Sequence, residues 1–203
     1  MSATASWETY QGIVIPELAL CRSQVDAADE WMVGVGLVDF ANRARLEGSV
    51  RLDELLPHVF WASEINGFYW EMQRNGCDGV CANTLFPYLN DRSKLDVKLE
   101  RLINAARALG NPDFLDLVER VHKHFLKREN LFRRSWKEMF FVNDETVKKL
   151  NDLFFQVCDE RFVSNYKSWL LESDGIRIIP DELYDEHLLE LLKLNPLRLE
   201  RQS

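Results

Sequence analysis

Four acids packed into six residues raise the first chemical question. Asp181, Glu182, Asp185 and Glu186 stand at i, i+1, i+4 and i+5, a spacing that gathers their carboxylates on adjoining sides of one helix. Within this stretch Glu182-x-x-Asp185, with Glu186 and Glu190, could hold magnesium for phosphate-ester hydrolysis. Helical enzymes of that kind need a second acidic pair on a facing helix, and Glu145 and Asp152 do not have the spacing for it. Glu119-x-x-His122 has the i, i+3 arrangement of di-iron bundles, which use the motif twice; here it occurs once. Cys77 and Cys81 form C-x-x-x-C without a second pair, and His122 and His124, two apart on a helix, point away from each other. His122 falls on an apolar stripe as a core histidine, and His124 is expected to face solvent. No G-x-S-x-G elbow, Walker loop or H-E-x-x-H is present. His58, His122, His124 and His187 have no adjacent serine or cysteine that would suggest a dyad. These residues imply no catalytic set, no metal and no cofactor. The plain alternative for the acids is a solvated helix start, because Asp181 and Glu182 suit the positive end of the helix dipole.

Charge carries more information than any motif. The 203 residues have a net charge of −8, which disfavours direct binding to nucleic acid or to an anionic membrane surface. Residues 159–190 hold nine acids against three bases, whereas residues 120–137 hold seven bases against Glu129 alone. The acidic stretch reads as a surface for a basic protein partner, with Glu172 and Asp174 joining the four clustered acids. The basic stretch reads as a solvated face or as the complement of an acidic one.

The elements that position these residues are helices. Only 9 glycines and 6 prolines are present, too few for an all-β sandwich. Residues 1–20 read as an irregular leader. Helical spacing then runs from Gln24 to Leu46, interrupted only by Gly34 and Gly36, which would admit a close neighbour. Short helices follow at 53–61, disturbed by Pro57, and at 78–89. Asn66-Gly67 and Asn75-Gly76 act as turn signals between them. The clearest stripe covers 94–109, ends on Gly110, and restarts with Asn111 as N-cap and Pro112 as the first helical residue. The stripe of that second helix is Leu115, Val118, Val121, His122, Phe125 and Leu126. Further helices are expected over 129–141, after Asn143 or Asp144, over 160–171 and over 181–194. Residues 176–179 are the single β-like run. No stretch at the N-terminus has the pattern of a signal peptide, and the longest apolar run, 31–40, is too short to span a bilayer. Cys21, Cys77, Cys81 and Cys158 are too few for a disulfide framework. The expected location is the cytoplasm.

Two stretches resemble one bacterial family. Glu64-Ile65-Asn66-Gly67-Phe68-Tyr69-Trp70, continuing to Asn75-Gly76, resembles its E-[VI]-N-N-G-G-F signature and the aromatics that follow. Leu150-Asn151-Asp152-Leu153-Phe154-Phe155 with Tyr166 resembles its late L-D-x-L-F/Y helix and downstream tyrosine. Residues 102–121 resemble the helix, A-x-x-L-G turn and helix between them. The family is the DNA-mimic-protein-like group, and the likeness extends over about residues 50–175. It implies an all-helical fold, an acidic homodimer, and imitation of DNA toward a DNA-binding protein. Glu64, Asn66, Gly67, Phe68, Trp70 and Gly76 carry the signature. Read physically, Glu64 and Asn66 would lock a turn, Gly67 would permit it, and Phe68 and Trp70 would fill the core.

Together these readings predict an all-α chain: a leader at 1–20, then a single irregular multi-helix domain over 21–203 with at most one tiny β element near 176–179. The expected function is a non-enzymatic protein-binding module with an acidic face, and DNA mimicry is its sharper form. A carboxylate metal-dependent phosphohydrolase and an immunity-type toxin inhibitor are the alternatives.

Overall fold

A computed structural model describes residues 12, 14–134 and 144–196. Among the described residues the fold is all-α with one tiny β element. The elements in order are β1 (Leu18–Cys21), α1 (Arg22–Val25), α2 (Met32–Leu46), a 3₁₀ turn (Leu52–Glu54) and α3 (Pro57–Gly79). A π-helical turn (Val80–Leu85) and a 3₁₀ turn (Phe86–Tyr88) lead to α4 (Arg92–Leu109) and α5 (Pro112–Arg134). The remaining described elements are α6 (Glu145–Val157), α7 (Glu160–Leu171), β2 (Ile176–Ile179) and α8 (Asp181–Leu192). Among the described residues no helix is long and apolar enough to cross a membrane.

The chain groups into two compact units, one of residues 1–63 with 163–203 and one of residues 64–162. Within the first unit β1 and β2 run parallel, Leu18 opposite Ile176 and Cys21 opposite Ile179. Leu18, Ala19 and Leu20 are fully buried, so the strand takes in residues whose composition suggests an irregular leader. Gly175, at φ +78°, delivers the chain into β2, and a Cβ there would meet Leu56 at 2.7 Å and the Pro16 carbonyl at 3.0 Å. The expected continuous helix over 24–46 is two helices. The Asp29 carboxylate takes the N–H of Trp31 at 3.0 Å and restarts the chain as α2. The Gln24 amide fills the space over Gly36, where a Cβ would stand 2.3 Å from its oxygen, and accepts the Cys21 N–H. The core of this unit includes Phe40, Leu37, Leu170, Leu188 and Tyr166, with Trp31 stacked on Tyr166 at 4.9 Å.

In the second unit α4 and α5 form the expected hairpin. Gly110 closes α4 at φ +73°, and the Asn111 side chain accepts the N–H groups of Asp113 and Phe114 at 3.1 and 3.0 Å. Aromatic rings fill the interior: Phe114 lies 4.8 Å from Phe162 and 5.7 Å from Phe68, and Tyr69 lies 5.5 Å from Phe154. The separate helix expected over 129–141 does not begin at 129, because α5 continues unbroken to Arg134; residues 135–143 lie outside the described residues. Of the two caps considered for α6, Asp144 takes the role, accepting the Thr146 N–H at 2.8 Å.

Candidate functional site

α8 starts directly after β2 because Pro180 cannot continue a ladder and its extended backbone stands at the N-cap. The four clustered acids are all exposed, but they divide by task. Asp181 accepts the backbone N–H of Ser23 at 3.0 Å, and hydrogen bonding from Ser23 holds its carboxyl below the usual range. Asp185 pairs with Arg43 at 2.5 Å, and Arg43 is shared with Glu47 at 2.8 Å. Both carboxylates therefore serve the unit's own structure. Glu182 and Glu186 have no partner among the described residues and stand one turn apart on the outer side of α8, followed by Glu190, which pairs with Lys193. Leu183 and Leu189, on the same helix, are 50% and 42% exposed, and Leu194, just past its end, is 52% exposed. Glu172 and Asp174 are exposed on the stretch between α7 and β2.

The signature segment takes a different form from the turn that its Asn-Gly pairs suggest. Residues 57–79 form a helix interrupted once, at Gly76, and Gly67 sits within its regular part on an exposed side, with open space for 4 Å around the position a Cβ would take, so no conformational need explains that glycine. Asn66 is 1% exposed, and its Oδ1 has no hydrogen-bond partner among the described residues. Glu64, instead of locking a turn, pairs with Lys98 of α4. Phe68 is buried as expected, but Trp70 is only half-buried, with the Arg74 guanidinium 5.4 Å from its ring. Gly76 does make a break: its φ of +65° kinks the helix, and Asn151 closes the kink by accepting the Cys77 N–H at 2.8 Å.

A buried polar cluster went unread in the sequence. His124 is 6% exposed and Arg128 8%, one turn apart on α5. Arg128 reaches Asp144 at 3.2 Å and lies 3.5 Å from His124 Nε2. Burial, and then the Arg128 charge, push the His124 pKa down. Burial pushes that of Asp78 up against the opposing pull of Arg128. The expectation that His124 faces solvent and His122 the core is reversed, for His122 is only half-buried. The inward stripe of α5 is Phe114, Leu117, Val118, Val121, His124, Phe125 and Arg128, rotated from the one drawn through Leu115 and Leu126. A stripe extended through polar positions would have found it, since His124 and Arg128 keep the i+3 and i+7 places after Val121.

Chemically the cluster lacks a ready nucleophile. Cys81 hydrogen-bonds Cys77, and that bond together with burial raises its pKa well above the ordinary thiol value, which keeps it protonated. Among the described residues no three His, Cys, Asp or Glu side chains gather into a group that could hold a metal ion. Comparison with family models, with curated proteins and with solved structures gives no significant match for this chain.

Proposed function

We propose that the protein is a non-enzymatic, cytoplasmic binding module that docks a basic protein partner on the outer side of α8. One observation carries this reading: Glu182 and Glu186, without partners among the described residues, share the outer side of α8 with exposed Leu183 and Leu189. Carboxylates held on a rigid helix steer a cationic surface into place, and apolar flanks supply contact area once it arrives. The occupant that matches both features is a basic segment with apolar residues at helical spacing. The resemblance to the DNA-mimic-like group supports an acidic-face function in general. Duplex imitation fits this side less well. DNA offers one negative charge per about 1.7 Å of axis, whereas glutamates at i and i+4 advance about 6 Å, and a phosphate backbone has nothing like the leucines.

The test is the double substitution Glu182→Lys, Glu186→Lys, which spares the structural Asp181 and Asp185. Affinity capture from source cells, read by mass spectrometry, is run with both forms side by side. Basic proteins recovered by the native chain should be lost by the variant while circular dichroism stays unchanged. Binding of a recovered partner should weaken between low and physiological salt, where screening shortens to about 8 Å. Recovery of the same proteins by the folded variant, with unchanged salt dependence, would refute the reading.

A further inference from the structure

We propose that a concavity beside α4 binds a small phosphate monoester carrying an aromatic or compact apolar group. The cavity, of about 330 Å³, is lined by Tyr88, Ser93, Lys94, Val97, Lys98 and Arg101, within the size range of small-ligand pockets. Lys94, Lys98 and Arg101 recur at i, i+4 and i+7, so three cations share one side of the helix, and no carboxylate is among the lining residues. In a chain of net charge −8 three cations gather beside this concavity, two of them paired with carboxylates outside its lining, Glu64 and Asp91.

The lysines are held in different ways. Lys98 is fixed by its pair with Glu64, the two side chains being 20% and 9% exposed. An ammonium has three donors, so a ligand oxygen can share this one with the carboxylate. Lys94 pairs with Asp91 at 3.0 Å in an exposed bridge, the kind of pair that exchanges partners at little cost. Asp91 already accepts the Lys94 N–H and the Ser93 hydroxyl, so the start of α4 is capped and the site rests on side chains, not on the helix end. Donors arriving from three side chains suit the tetrahedral oxygens of a phosphate. Val97, 44% exposed, and the half-buried Tyr88 offer the apolar wall that a free ion would not need.

The full chain is titrated with phenyl phosphate, inorganic phosphate and phenol, followed by amide chemical shifts and melting temperature. Phenyl phosphate should move resonances of residues 88–101 saturably and raise the melting temperature, phosphate should bind at least several-fold more weakly, and phenol should do neither. Lys94→Gln and Arg101→Gln should each weaken phenyl phosphate by about tenfold, the scale of one charge-assisted hydrogen bond. Lys98 is left intact, because its loss would strand Glu64 and confuse binding with folding. Absence of saturable shifts up to about 10 mM, or equal binding by the native chain and by a chain carrying both Lys94→Gln and Arg101→Gln, would overturn the proposal. Equal affinity for phosphate and phenyl phosphate would overturn it in favour of a free-phosphate site.

Discussion

His124 is a titratable group enclosed by the fold, which ties its proton to stability. Burial comes first in lowering its pKa, Arg128 and Lys127 add to that, and Asp144 opposes. His58 and His122 are likewise lowered, with burial as the main cause. A histidine in the unfolded chain titrates near about 6.5, so between that value and the lower folded one the unfolded state binds more protons. The stability contributed is therefore whole above about pH 6.5 and is lost as pH falls through the folded pKa values. Urea unfolding should show a falling free energy from about pH 7 to 5, and His124→Gln should flatten that slope whatever it does to stability at pH 7. Asp78 acts with the opposite sign: its folded pKa is raised, so what it contributes is full below about 3.8 and fades as pH rises. Comparing native and His124→Gln slopes cancels its effect. An unchanged slope in the variant would mean that His124 is not coupled to folding.

Helix α3 offers an internal contrast between two glycines of like sequence setting, each preceded by asparagine. Gly76 has φ +65°, and a Cβ would press on the Asn151 amide at 2.8 Å, whereas Gly67 has open space and ordinary helical backbone. Gly76→Ala should therefore destabilise by about 1–2 kcal/mol or more, since it adds left-handed strain to a clash. Gly67→Ala should stabilise by about 0.5–1 kcal/mol, the helix-interior penalty of glycine. Denaturation midpoints moving in the same direction would contradict this account of the kink. The pair also shows what sequence could reveal. Asn-Gly marks a turn through local chemistry, yet residues 64–70 place Ile65, Phe68 and Tyr69 inward, and that burial keeps the helix continuous. Gly110, Asn111 and Asp144 were legible because caps act locally. The α8 acids were legible as a cluster, but their division was not: the partners of Asp181 and Asp185 are Ser23 and Arg43, more than 140 residues away. His124 and Arg128 were missed because an apolar stripe drawn from hydrophobic residues stops where buried polar groups pair with one another.

At the scale of the whole chain, the β1–β2 ladder imposes an order in time. Ribosomes add about 5–20 residues per second, so β1 waits roughly 8–30 s for its partner strand to be made about 155 residues later. Residues 64–162 are contiguous and can complete their own core during that interval. Leu18, Ala19 and Leu20, fully buried in the finished protein, can pack against α1 and α2 early but lack β2 and α8 meanwhile. Stalled nascent chains ending at residue 170 should be cut by protease within 14–21, and released chains that include β2 and α8 should resist there; equal protection in both would show that something other than β2 and α8 shelters the segment. During synthesis, then, β1 is a strand without its ladder, and the emergence of β2 sets the moment at which the first unit can close.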